Sequence, residues 1–447
     1  MRLRSCFSLL AVALLGACGG PEGQEGTAAG EPTAQRTVAL PACDPDNGGL
    51  TLPQGFCALV AHEGVGAARH IAVAPDGRVY VAIQTRRGQE GQTEQGGIVA
   101  LRDTDGDGRL DERSDRFGPE GGTGIAVQDG YLYFAPNTYV VRWQLADAEL
   151  QPTGQLDTVV SGFPEQRSHA AKPLAFDGRG SMWVTVGAPS NNCGGETDRQ
   201  QGARGQRPCP ELERAGGVWR FDANRTGQRQ QDGERWATGL RNALALGFNP
   251  ADRQLYAGTH GRDQLDVIAP QHFTPQQNAE LPSEEFVRLE RGDNYGWPYC
   301  HHDPQQNRRV LAPEYGGDGQ AAGDCEQYGA PLTAFPAHWA PQDLLFYSGE
   351  HFPERYRGGA FIAWHGSWNR APEPQRGYKV TFQPMRGGGA AGEYEVFADG
   401  FAGNRPLQSP GEAEHRPMGL AQAPDGTLYI VDSQKGRIWR VLYTGGS

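Results

Sequence analysis

The 447-residue chain contains no apolar run long enough to cross a bilayer: the longest, from Phe7 to Ala17, reaches about 11 residues where a spanning helix needs roughly 20. Only 37% of positions are hydrophobic, and a multi-spanning membrane protein is excluded. Positive charge is also short. There are 41 Lys and Arg against 53 Asp and Glu, a formal charge of −12, so no nucleic-acid partner is expected. No cysteine pair shows the two-residue spacing of a zinc knuckle. The stretch from Gly88 to Gly97 lacks the Lys that follows Gly in a phosphate loop, the stretch from Gly205 to Cys209 reads as loop, and no serine stands in a nucleophile elbow.

What is present begins with an export signal. Arg2 and Arg4 precede the apolar run, which closes in Leu15-Gly16-Ala17-Cys18. This resembles a bacterial lipobox, so residues 1–18 are expected to be a lipoprotein signal with Cys18 as the lipidated residue; an ordinary signal peptide with a cysteine nearby is the alternative. Residues 19–39, Gly-, Glu-, Ala-, Thr-, Pro- and Gln-rich and without an aromatic residue, read as a flexible tether, and residues 40–447 as the folded body. The expected protein is therefore an exported bacterial lipoprotein, held to a membrane by its anchor alone and facing the periplasm or the cell surface. Six further cysteines suit an oxidising compartment. They fall into three sequence-local pairs, Cys43 with Cys57, Cys193 with Cys209 and Cys300 with Cys325, and neighbours are expected to bond although 15 connectivities are possible.

Glycine is abundant, at 64 residues, and it marks a repeated phrase. Six times a strand of small apolar residues meets a Gly or Asp turn and a second alternating strand follows. The turns lie at Asp76-Gly77, Asp129-Gly130, Asp177-Gly178, Asn249-Pro250, Gly358-Gly359 and Asp425-Gly426. A third strand opened by Gly97, Gly217, Gly377 or Gly436 follows four of them. Such units cannot bury both faces alone, and radial stacking hides them without long exposed edges. The expected fold is an all-β, six-bladed β-propeller, with a β-sandwich as the alternative. Leu59 and Val60 are expected to close the ring beside the last blade, and the segment between Arg253 and Gly359 to hold long loops rather than a seventh blade.

Propellers bind ligands at one mouth of the central channel, so polar residues just before the inner strands are the candidates: His70, His169, Arg241 with Asn242, and His415 with Arg416. Guanidiniums aimed at a common cleft favour an anionic ligand, and an imidazole beside them can take a proton.

At these residues the chain resembles a family. His169-Ala170-Ala171-Lys172-Pro173-Leu174, Gly239-Leu240-Arg241-Asn242, Gly261 with Asp266, Gly292-Asp293-Asn294-Tyr295-Gly296-Trp297-Pro298 and His365-Gly366-Ser367-Trp368-Asn369-Arg370 are similar to the soluble quinoprotein glucose/sorbosone dehydrogenases, over essentially residues 50 to 443. The resemblance implies a six-bladed propeller that binds pyrroloquinoline quinone (PQQ) and Ca²⁺ and oxidises an aldose or related sugar, passing electrons to an external acceptor. It implies His169 as the base, with Arg241 at the catalytic centre; Asn242, Arg416, Asn369 and Arg370 toward the cofactor; and the backbone carbonyls of Gly261 and Arg262 toward Ca²⁺. Ser168 stands where the glucose-oxidising members carry Asp, Gly121 to Gly124 where they carry Gln, and Arg262 where they carry Pro; their cofactor-binding Lys has no counterpart near His365 to Arg370.

A separate signal is Asp103-Thr104-Asp105-Gly106-Asp107-Gly108-Arg109-Leu110-Asp111, whose carboxylates at Asp103, Asp105, Asp107 and Asp111 match the spacing of an oxygen-rich Ca²⁺ loop, though Ser114 replaces the closing Glu of an EF-hand. Two other functions stay open from sequence: a calcium-dependent propeller lactonase or hydrolase, and a non-enzymatic surface propeller that binds a sugar or a partner. The sequence leaves the oligomeric state undefined.

Overall fold

The computed structural model describes residues 40–87, 93–146 and 149–445. The expected signal, the lipidated Cys18 and the tether lie outside the described residues.

Each hairpin phrase forms the inner two strands of a four-stranded antiparallel blade, and there are six. Blade 1 is Ala68–Val73, Val79–Ile83, Gly97–Arg102 and Glu112–Arg113, and blade 2 is Gly122–Gln128, Tyr131–Pro136, Tyr139–Gln144 and Leu156–Ser161. Blade 3 is Leu174–Phe176, Ser181–Val186, Gly217–Asp222 and Glu234–Thr238; blade 4 is Ala245–Asn249, Gln254–Thr259, Glu284–Leu289 and Thr333–Phe335. Blade 5 is Pro341–Phe346, Ala360–Trp364, Lys379–Gln383 and Glu395–Ala398. Blade 6 takes Pro417–Gln422, Leu428–Asp432 and Ile438–Tyr443 from the end of the chain and its outer strand, Phe56–His62, from the beginning. There Leu59 pairs with Arg440 and Val60 with Trp439, so the expected closure is present. The inner strands touch one another in an unbroken ring, 1 to 2 through 6 and back to 1.

The alternation of side chains along a strand explains why the strands read as nearly continuous apolar runs. In blade 1, Val79, Val81 and Ile83 pack toward blade 6, while Tyr80 and Ala82 pack toward blade 2. Every pair of neighbouring blades shares one such cluster, so the core is six wedges rather than one centre. Near the axis the backbones crowd. A Cβ on Gly124 would lie 2.1 Å from the Lys172 carbonyl oxygen, which is why blade 2 presents glycine to blade 3 there.

Between Arg253 and Gly359 no seventh blade forms. The segment holds two short helices, Leu265–Ile268 and Pro275–Glu280, and a two-stranded hairpin of Cys300–Asp303 with Arg308–Leu311 beside the strands of blade 4. The three disulfides join sequence neighbours as expected, Cys43–Cys57, Cys193–Cys209 and Cys300–Cys325.

Candidate active site

A cavity of about 720 Å³ opens at the hub, lined from blades 1 to 5 and the loop before blade 3 by residues that include Arg69, Thr123, His169, Asn242, His260 and His365. His169 sits in this lining with a left-handed backbone, φ 52°. Gln166 holds the turn by donating Nε2 to the carbonyls of Ser168 (2.8 Å), His169 (3.0 Å) and Gly187 (2.8 Å). Gly187 is needed beneath the ring, since a Cβ there would lie 2.6 Å from His169 Cβ. His169 Nδ1 bonds the Ala188 carbonyl, so Nδ1 carries the proton and Nε2 keeps its lone pair. Burial, reinforced by the Arg241 charge, pushes the imidazole pKa down to about 3. At neutral pH this ring is an uncharged acceptor. His260 is likewise pushed down to about 4 by burial, and His365 well below its ordinary value, again by burial first and then Arg416.

Arg241 lies behind the ring, with its side chain 4% exposed. It does not line the hub cavity: Nη1 donates to the Gly261 carbonyl at 2.9 Å and Nη2 to Asp263 Oδ2 at 2.6 Å. Asp263 also accepts from Arg199 Nη2 at 2.9 Å and Asn369 Nδ2 at 2.6 Å. Burial would raise its carboxyl, but the Arg241 and Arg199 guanidiniums outweigh that and hold it well below the usual carboxylate range. Glu284 accepts the backbone N–H groups of Gly261 (2.9 Å) and Ala340 (3.1 Å), and burial pushes its pKa up to about 7. The site thus consists of neutral imidazoles on the surface of the cavity and a neutralised ion pair beneath.

The family model described as TrAA12-like matches residues 50–444. The chain belongs to the TrAA12-like family. The match spans the ring from its closing strand to its last strand. A Borreliella burgdorferi protein of undescribed activity is 30% identical over 46% of this chain and 48% of its own length. The pyrroloquinoline quinone-dependent pyranose dehydrogenase of Coprinopsis cinerea is 26% identical over 34% of this chain and 23% of its own length, so the chain spans half or less of these relatives. Among solved structures, the Trichoderma reesei carbohydrate-active enzyme of family AA12 superposes with a TM-score of 0.70 at 17% identity, covering 88% of this chain and 98% of that one. The holo PQQ domain of the Coprinopsis cinerea pyranose dehydrogenase gives 0.68 at 16% identity, covering 90% and 98%. These two share the fold.

In this TrAA12-like chain the predicted residues divide. His169 and Asn242 line the cavity. Arg416 lies beside it, donating Nε to the carbonyl of His365 (3.0 Å) and Nη2 to that of Gly366 (2.7 Å). Asn369 reaches Asp263 beneath the site, and its Oδ1 is buried without a partner. Arg370 stands apart, buried on the carbonyls of Pro374 and Ala279 and on Glu280, where it ties the loop to helix Pro275–Glu280. The Gly261 carbonyl is already taken by Arg241, and the Arg262 guanidinium turns to Glu314. His70 and His415 hold structure: His70 Nε2 bonds the Gln342 carbonyl at 2.8 Å, and His415 Nδ1 bonds Asp432 at 3.0 Å. Asp103, Asp105 and Asp107 bring carboxylate oxygens within 4.8 Å of one another. Asp111 does not join them, because its carboxylate accepts from the Thr104 amide (2.8 Å) and hydroxyl. Arg69, Gln166 and Asp263 were not found from sequence.

Proposed function

We propose that this chain oxidises an aldose or related sugar with PQQ held in the hub cavity, and passes the electrons to an external acceptor. The observation that carries the reading is His169: a neutral imidazole, its tautomer set by Ala188, on the wall of a cavity large enough for a cofactor and a sugar. The Coprinopsis relative's name supports the same chemistry. The residues fit the cofactor. PQQ is a planar ortho-quinone bearing several carboxylates, and the lining offers hydrogen-bond donors on Arg69 and Asn242 to its oxygens. When bound, PQQ supplies the two-electron acceptor that no side chain provides.

His169 then takes the proton of the sugar hydroxyl at Nε2, and the Ala188 carbonyl, bonded to Nδ1, stabilises the imidazolium that results. The Arg241–Asp263 pair contributes little net charge and keeps the floor of the site rigid. Asn242 supplies neutral hydrogen bonds, and Arg416 a cation at the blade 6 side. Gly261 and Arg262 do not fit Ca²⁺ as the chain stands, because a cation at the Gly261 carbonyl would face the Arg241 guanidinium. A Ca²⁺ of structural role suits the Asp103, Asp105 and Asp107 loop instead. A hydrolase built on a carboxylate-held metal is less well supported: the one carboxylate among the described lining residues is Glu120, exposed at the rim. The disulfides suit an oxidising compartment outside the cytosol, as an exported protein would meet.

The test is reconstitution with PQQ followed by dye reduction with a panel of aldoses. Wild-type protein is expected to turn over at least one of them, and His169→Gln to lose roughly 10²- to 10⁴-fold in kcat with an unchanged circular dichroism spectrum. Retention of activity by that variant removes His169 as the base.

A further inference from the structure

Behind the hub, sharing His260 with its wall, lies a second cavity of about 30 Å³. Separate segments meet around it: Asn192 from the loop between the second and third strands of blade 3, Arg241 from the turn before blade 4, Thr259 and Arg262 at and just beyond the second strand of blade 4, and His301 from the hairpin. Each of these five residues is at most 6% exposed. Each also buries a polar atom that bonds to nothing among the described residues: Asn192 Oδ1, Arg241 Nε, Thr259 Oγ1, Arg262 Nε and both ring nitrogens of His301. A buried donor or acceptor without a partner is costly, and a wall that gathers so many calls for a guest.

The chemistry of the wall defines that guest. Its charges are already balanced, since Arg241 pairs with Asp263, Arg262 with Glu314 and Arg309 with Glu285. His301 is neutral, because burial first, and then the Arg262 and Arg309 charges, push its pKa down to about 3. An uncharged guest is therefore favoured, and it must both give and take hydrogen bonds. The two Nε–H groups and one His301 nitrogen donate; the other His301 nitrogen, the Thr259 oxygen and Asn192 Oδ1 accept. Asn192 cannot turn its amide round to offer a donor, since Nδ2 is committed to Glu314 Oε1 at 2.6 Å. An anion, which only accepts, would strand all three acceptors. Two waters bonded to each other keep three protons and three acceptor positions, which matches the wall group for group. At about 10–15 Å³ each they also fill the volume.

We propose that this cavity is a binding site for two structural waters, which join the His301 hairpin and the blade 3 loop to the Arg241 turn beneath the hub. The site does not depend on what the hub itself binds. The experiment is a crystal structure of the wild-type protein grown in sodium bromide, at a resolution that shows ordered solvent. Two oxygen peaks within hydrogen-bonding distance of these atoms, without bromine anomalous signal, are expected. An anomalous peak there, a single solvent peak or none overturns the proposal. In solution, ¹⁷O relaxation dispersion of water should count at least one long-lived water fewer in His301→Phe, which removes a donor and an acceptor together. His301→Gln, which supplies one of each, should restore the wild-type count. Equal counts in His301→Phe and wild type overturn the proposal, and the bromide crystal decides alone should that variant not fold.

Discussion

Asp263 gathers Arg241, Arg199 and Asn369 from three separate segments onto one carboxylate beneath the hub cavity. Removing its charge strands two guanidiniums, one of them 4% exposed, so Asp263→Asn should destabilise the protein by about 3–5 kcal/mol, read from urea unfolding. A change under 1 kcal/mol would mean that the arginines find other partners. This residue was invisible in the sequence because its role exists only once the loop between the second and third strands of blade 4, the Arg241 turn and the Asn369 loop have met. Arg69 was missed for a different reason. Its neighbour His70 stands at the expected rim position, but alternate residues of a strand face opposite ways, and it is Arg69 that lines the cavity while His70 is buried on Gln342. His169 was legible because it ends a loop and precedes a small-apolar strand, a position set by local sequence.

At the scale of elements, the closing strand Phe56–His62 joins the two ends of the body. Phe56 packs against Phe352, Tyr356, Phe397 and Tyr443 with ring centroids 4.8 to 5.3 Å away, so it anchors the strand to blade 5 as well as to blade 6. Phe56→Ala should cost about 3–5 kcal/mol in equilibrium unfolding. A loss well below 1 kcal/mol would place the stability of the ring elsewhere. This closure was readable from the apolar pair Leu59 and Val60, as were the six hairpins from their turns. The two-residue strands Gln228–Arg229 and Asp293–Asn294, which pair in parallel onto the outer edges of blades 2 and 3, were not, since two residues carry no period. The hairpin Cys300–Asp303 with Arg308–Leu311 was hidden likewise: His and Arg in its strands mask any alternation.

The whole molecule holds most of its described histidines neutral, three of them at the hub. Eight described histidines, His169, His260 and His365 among them, have pKa values lowered from the ordinary 6.5, with burial the first cause in each. Unfolded, they bind protons below about pH 6.5; folded, they do not, so stability is full above that pH and is lost as pH falls. Glu211, Glu284 and Asp343 act oppositely, because burial raises their carboxyls and the folded state holds their protons to higher pH. Eight groups outweigh three, and the Tm should fall between pH 7 and pH 5 in calorimetry; a Tm that is flat or higher at pH 5 would contradict the burial of these histidines in neutral form.

The central claim, that this hub takes PQQ and puts His169 at the sugar hydroxyl, is tested most directly by one anaerobic titration. PQQ is added to the protein to saturation, the quinone absorbance is recorded, and an aldose is then supplied without any acceptor. Saturable uptake is expected by wild type and by His169→Gln, followed by bleaching of the quinone band on adding sugar in wild type alone. Absence of uptake by the wild-type protein, or equal bleaching in the variant, would contradict it.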